Sequence, residues 1–166
     1  RAATEYVRSL MSYLEPEGPE FSGPCGLTFL TGWHEKEGAD TGWLRWSDGT
    51  GQLRVRARDS MDLILDGEVL SMARPNVVDV AVDGRPLSPI TIDDPAWGFH
   101  AFPPVRLHVD AGQRAVVTFA GRAAPTSQAA DPRLLTIALK DLTLRSADGR
   151  LTCELTAEAR APRSAF

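Results

Sequence analysis

The sequence predicts an all-β chain, an antiparallel β-sandwich or jelly roll preceded by one short amphipathic helix. Apolar and polar residues alternate with a period of two over several short runs, which is the signature of strands with one buried face. Four Asp-Gly pairs stand beside those runs, at 48–49, 66–67, 83–84 and 148–149, and this dipeptide tolerates the positive φ of tight hairpins. Finally, 14 Gly and 12 Pro among 166 residues cut the chain into many short elements without making it low in complexity.

In chain order, residues 2–15 carry the one helical spacing, because Tyr6, Val7, Leu10, Met11 and Leu14 share a face. Pro16, Gly18 and Pro19 end it. From Gly26 the period changes to two. Strands are expected at 27–33, 43–47, 52–58, 61–65, 78–83, 105–110, 114–120, 134–144 and 151–156, about nine in all. The expected division is a helix and linker over 1–18, a sandwich over 19–158 and a fraying tail over 159–166. Residues 34–41 and 121–131 read as loops long enough to build a site. The chain opens on Arg1 rather than Met, as a piece of a longer protein would.

Charge narrows the function classes. Asp and Glu number 22 against 18 Lys and Arg, a net charge of -4, so nothing attracts a phosphate backbone at long range and nucleic acid is not an expected partner. All the basic residues except Lys36 and Lys140 are Arg, and Arg54, Arg56 and Arg58 are expected to share the outward face of one strand. No apolar run is long enough for a membrane span. Cys25 and Cys153 allow at most one disulfide and lack zinc-ligand spacing, Cys153 reading as a buried structural residue in an alternating run. The compartment stays open, cytoplasmic or at the cell envelope.

No catalytic motif is present, neither a nucleophile elbow, a metalloprotease helix nor a phosphate loop. His34, His100 and His108 lie in three different contexts, Pro103-Pro104 interrupting any ladder between the last two. Catalytic residues, a metal and a cofactor are therefore not expected. Glu35 and Glu37 are neighbours on one loop rather than carboxylates flanking a cleft, and read as solvated.

The tryptophans are more informative. Trp33, Trp43 and Trp46 crowd into residues 33–46, and Trp97 stands alone on a loop. In Trp43-Leu44-Arg45-Trp46-Ser47, parity puts Leu44 and Trp46 on one face and Trp43 and Arg45 on the other. Arg45 is hard to bury unpaired, so Leu44 and Trp46 are the expected core pair and Trp43 the exposed partner. An indole beside a guanidinium and loop carboxylates suits a sugar, whose C–H face stacks while its hydroxyls take charge-assisted hydrogen bonds. Trp97 is the second stacking candidate.

Gly32-Trp33-His34-Glu35, Trp43-Leu44-Arg45-Trp46-Ser47, Val80-Ala81-Val82-Asp83-Gly84-Arg85 and Asp131-Pro132-Arg133-Leu134-Leu135 occur in that order. Together they resemble the β-sandwich accessory domains appended to bacterial cell-surface polysaccharide glycosyltransferases and related sugar-pathway enzymes. The resemblance spans about residues 26 to 145, with Thr136 standing where that pattern often has Gly. It implies a non-catalytic, carbohydrate-binding-like module beside a catalytic domain of the same chain, with a glycan as partner. The expected site comprises Trp43, Arg45, His34, Glu35, Trp97, Asp131 and Arg133. Trp43 would stack, Arg45 and Arg133 would donate, and Glu35 and Asp131 would either accept from hydroxyls or hold the arginines in place. Two other readings stay open: a scaffold domain that docks or dimerises through the N-terminal helix, and a small sugar-active enzyme on a jelly roll.

Overall fold

A computed structural model describes residues 21, 23–38 and 43–156. The expected helix over 2–15, the linker after it, the tail over 159–166 and the tip of the 34–41 loop lie outside the described residues. Within them the chain is all β, with fourteen strands and no helix.

The strands are β1 (Cys25–Phe29), β2 (Leu44–Trp46), β3 (Thr50–Ala57), β4 (Met61–Ser71), β5 (Asn76–Val82), β6 (Arg85–Pro86), β7 (Ile90–Ile92), β8 (His100–Ala101), β9 (Val105–Val109), β10 (Arg114–Gly121), β11 (Thr126–Gln128), β12 (Asp131–Leu135), β13 (Ile137–Ser146) and β14 (Glu154–Thr156). Two main sheets form. The first runs β14-β1-β3-β10-β5-β6, with β7 also on β5; the second runs β2-β13-β4-β8, with β9 also on β4. Strands β11 and β12 make a small hairpin of their own. Every pairing is antiparallel except β1 with β14.

The alternation seen in the sequence is the origin of the sandwich. Leu27, Leu53, Val55, Val78, Val80, Val117 and Phe119 of the first sheet meet Leu63, Leu65, Val69, Leu107, Leu139 and Leu144 of the second in one continuous core. A second, smaller apolar cluster lies apart from it: Trp46, Leu70, Leu135 and Ala138, with Leu44, Met72 and Phe99 packed against them. These residues alternate along β2, β4 and β13 with core residues such as Val69 and Leu139, so they occupy the outer face of the five-stranded sheet.

Three expectations about elements are corrected. The single strand expected over 134–144 is two strands in different sheets, divided at buried Thr136, whose N–H donates to Ser47 O (2.9 Å) while its carbonyl accepts from Met72 N (2.9 Å). The loop over 121–131 contains β11 and the turn of a hairpin. Asp66-Gly67 is not a turn but lies inside β4, facing a bulge where Asp141 and Leu142 occupy one register step and Asp141 has φ +51°. Glycine is needed there because a Cβ would come within 2.7 Å of Leu142 and 3.0 Å of Phe102. At Asp83-Gly84, by contrast, both residues have positive φ (49° and 79°), as the tight hairpin turn between β5 and β6 requires.

Cys25 and Cys153, left open by their spacing, form a disulfide across 128 residues. It joins the start of β1 to the residue before β14, beside the parallel β1–β14 pairing. The outward arginine stripe is also corrected. Arg54 is fully buried beside buried Thr28, its neighbour in the β1–β3 ladder; Arg56 is half-buried and Arg58 exposed. Arg58 Nε donates to Gly23 O (2.6 Å) and its guanidinium sits over Phe21 (5.5 Å). An arginine can be buried along a sheet when its stem packs and its head is bonded, which parity alone does not report.

Candidate functional site

The segment around His34 folds back on β2. Glu37 and Leu44 exchange both backbone hydrogen bonds (2.9 Å each), and His34 N donates to Trp46 O (2.8 Å). This hairpin lies against β13 through β2 and so places Trp43 to Trp46 at one edge of the five-stranded sheet.

Parity in Trp43-Leu44-Arg45-Trp46 holds, and Trp46 is buried with Leu44 packed beside it as expected, but the face of Trp43 and Arg45 is covered as well. Trp43 is half-buried against the main core, edge-on to Phe29 with ring centroids 5.8 Å apart, and Lys36 Nζ lies 5.9 Å from its ring. Arg45 is 4% exposed. Its guanidinium stacks on Phe29 at 4.8 Å and its Nε donates to His34 O at 2.6 Å. Stacking and a carbonyl acceptor offset the desolvation that made burial look unfavourable. Leu44 and Trp46 instead join the outer cluster. Trp43 is therefore not an open platform, and Arg45 is a buried brace between His34 and Phe29.

Asp131 and Arg133 come together with the His34 segment, but through Glu37 rather than Glu35. Arg133 donates to Asp131 (2.7 Å and 3.1 Å) and pairs with Glu37 Oε1 at 2.5 Å. The side-chain and backbone hydrogen bonds from Arg133 pull the Asp131 carboxyl down to about 2, and the same two carboxylates raise Arg133 further above its ordinary value. His34 Nε2 donates to Leu134 O at 2.9 Å. The network ties the β11–β12 hairpin to the 33–47 hairpin. Glu35 is exposed and stands outside it. Neither His34 nor His100 is hydrogen-bonded to a serine and a carboxylate among the described residues. No grouping of His, Cys, Asp or Glu among them suits a metal ion, and no helix among them is long and apolar enough to cross a membrane.

Trp97 is the exposed aromatic of the set, with 53% of its surface open. It leans on Trp46, ring centroids 6.4 Å apart at 34°, so the outer cluster backs it. Asp94 Oδ1 accepts from Ala96 N (2.8 Å), which shapes the turn that presents it. The Arg74 guanidinium lies 4.9 Å from its ring. Two residues on, Phe99 packs against the same cluster with Lys140 Nζ 4.9 Å from its ring. Arg74 follows the end of β4, where Asn76 Nδ2 donates to Ser71 Oγ (2.9 Å) and Ser71 Oγ to Ala73 O (2.6 Å), pinning the turn. Exposed Leu134 lies on β12 next to Leu135 of the cluster.

The outer face thus presents an aromatic floor of Trp97 and Phe99, two cations stacked on it and a braced hairpin as its flank. Sequence reasoning singled out Trp97 but missed Arg74, Phe99, Lys140 and Glu37.

No family model and no curated protein matches the chain. Among solved structures, a Paenibacillus sp. cycloisomaltooligosaccharide glucanotransferase is similar at a TM-score of 0.45 and 11% identity over 79% of this chain, which spans only 19% of that one. A family 35 carbohydrate binding module from an environmental isolate is similar at 0.41 and 9% identity, over 82% of each chain. One from Clostridium thermocellum is similar at 0.40 and 14% identity, over 81% of this chain and 87% of that one. Likenesses this loose leave the function of the chain to its own residues.

Proposed function

We propose that this chain is a non-catalytic carbohydrate-binding-like module, accessory to an enzyme of bacterial surface-polysaccharide biosynthesis. Its glycan lies on the outer face of the five-stranded sheet, against Trp97. The observation that carries this reading is the exposed Trp97 indole backed by Trp46, because a large aromatic left open to water on a packed support is what a sugar ring stacks on. Phe99 extends the floor, and Arg74 and Lys140 supply donors for hydroxyls. Asp131, Arg133 and Glu37 act on the site by holding the β11–β12 hairpin at its flank. The buried Cys25–Cys153 bond favours work in an oxidising compartment, where such a bond persists.

The test is a glycan-array screen on the intact chain followed by the Trp97→Ala variant. Retention on the cognate glycan is expected to fall while stability changes by less than about 1 kcal/mol, as for other exposed side chains. Unchanged retention in Trp97→Ala would move the site elsewhere, and no retention by the parent chain would favour the scaffold reading.

A further inference from the structure

Arg74 and Lys140 raise a question that a floor for neutral sugars does not answer. Each cation stacks on an aromatic ring of the same face, Arg74 on Trp97 and Lys140 on Phe99, both at 4.9 Å. Neither enters an ion pair among the described residues. Glu68 stands opposite Lys140 in the β4–β13 ladder, yet the ammonium lies over Phe99 instead. Three other basic groups are held in ion pairs, Arg122 with Asp79, Arg145 with Asp66, and Arg133 with Asp131 and Glu37. In addition, Arg74 Nε is enclosed without an acceptor, a cost the fold carries at this position.

A guanidinium whose Cζ lies over an indole can turn its N–H edge sideways, along the surface on which a sugar ring would lie. An acidic substituent at the rim of that ring then meets the fork in plane, with a second cation over the neighbouring aromatic. We infer that this face selects acidic glycans, the ring stacking on Trp97 and Phe99 and its carboxylate or sulfate held by Arg74 and Lys140. This rests on the reading of the Trp97 face as the glycan site and adds to it the class of sugar.

The experiment is calorimetric titration of the intact chain with three oligosaccharides of equal length: an oligouronic acid, its methyl ester and a sulfated neutral oligomer. The acid is expected to bind roughly tenfold tighter than the ester, as an ionic hydrogen bond does over a neutral one, and to weaken as salt is raised while the ester does not. Arg74→Gln and Lys140→Gln are expected to bring the affinity for the acid down to that for the ester, with Arg74→Lys retaining most of the preference. Melting curves matching the parent show that these variants are folded. Tight binding of the sulfated oligomer identifies charge as the feature recognised; tight binding of the acid alone identifies the planar carboxylate. Equal affinity for acid and ester, with both lost in Trp97→Ala, overturns the selectivity and leaves the glycan site standing. Failure of all three oligomers to bind overturns both.

Discussion

Trp43, the first stacking candidate, and Trp97, the second, are the same residue type, and their surroundings separate them. Trp43 is wedged edge-on to Phe29 at the border of the core, whereas Trp97 keeps 53% of its surface open. Trp43→Ala is expected to lower stability by about 2–4 kcal/mol, somewhat less than truncating a fully buried tryptophan because Trp43 is half-buried, and chemical denaturation reads it. Arg45 belongs with Trp43: alternation along 43–47 was legible, but which face met the larger core was not, because both faces of β2 are covered. A second residue-scale expectation concerns His108, whose Nδ1 and Nε2 face Asp62 (2.8 Å) and Asp110 (3.0 Å). Hydrogen bonds to those carboxylates, Asp62 first, raise its pKa above the ordinary 6.5. Because the folded pKa is the higher one, the stabilisation is complete below the unfolded value and fades as pH rises through the folded one. Proton NMR titration should find His108 above the usual histidine range in the parent and lower in Asp62→Asn; an ordinary value in both would show that the carboxylates do not hold it.

At the scale of elements, the β11–β12 hairpin depends on few contacts: Leu135 in the outer cluster, the His34–Leu134 hydrogen bond and the ion pairs of Arg133. Arg133→Ala is expected to raise hydrogen exchange over 126–135 while leaving β4 and β13 protected, since local opening follows the loss of local contacts. Unchanged exchange would mean that Leu135 and the His34–Leu134 hydrogen bond hold the hairpin without Arg133. The bulge opposite Gly67 makes a different demand: Gly67→Ala is expected to cost about 1–3 kcal/mol, because a methyl group would enter space filled by Leu142 and Phe102. The same residue shows where local reading fails. Asp-Gly marks a turn when the chain reverses, as at 83–84, but Asp66-Gly67 lies in the middle of β4 because β13 bulges against it, and that bulge is contributed by Asp141 and Leu142, far along the chain. Likewise Thr136 interrupts an unbroken apolar run only because Ser47 and Met72 claim its backbone groups.

Over the whole molecule, period-two patterning was enough to foretell two packed sheets, since each run needs a partner for its apolar side. Long-range closure was not readable. Nothing in a spacing of 128 residues pairs Cys25 with Cys153; their contact follows from β14 lying parallel to β1 at the sheet edge. Removing the bond with Cys25→Ala and Cys153→Ala is expected to cost about 2–5 kcal/mol, the range for a native cross-link closing a long loop, and thermal or urea melts check it. The outer face of the second sheet was equally hidden, because Arg74, Trp97, Phe99 and Lys140 come from a turn, a loop, its continuation and a strand that only the finished sandwich brings side by side. The central claim is that this assembled face, with Trp97 as its platform, holds a glycan. Its most direct test is the affinity of the parent chain and of Trp97→Ala for the glycan selected on an array. The account predicts at least about a tenfold loss for the variant, the scale of base or ring stacking on an aromatic, with an unchanged melting curve. Equal affinity in the two proteins would contradict it.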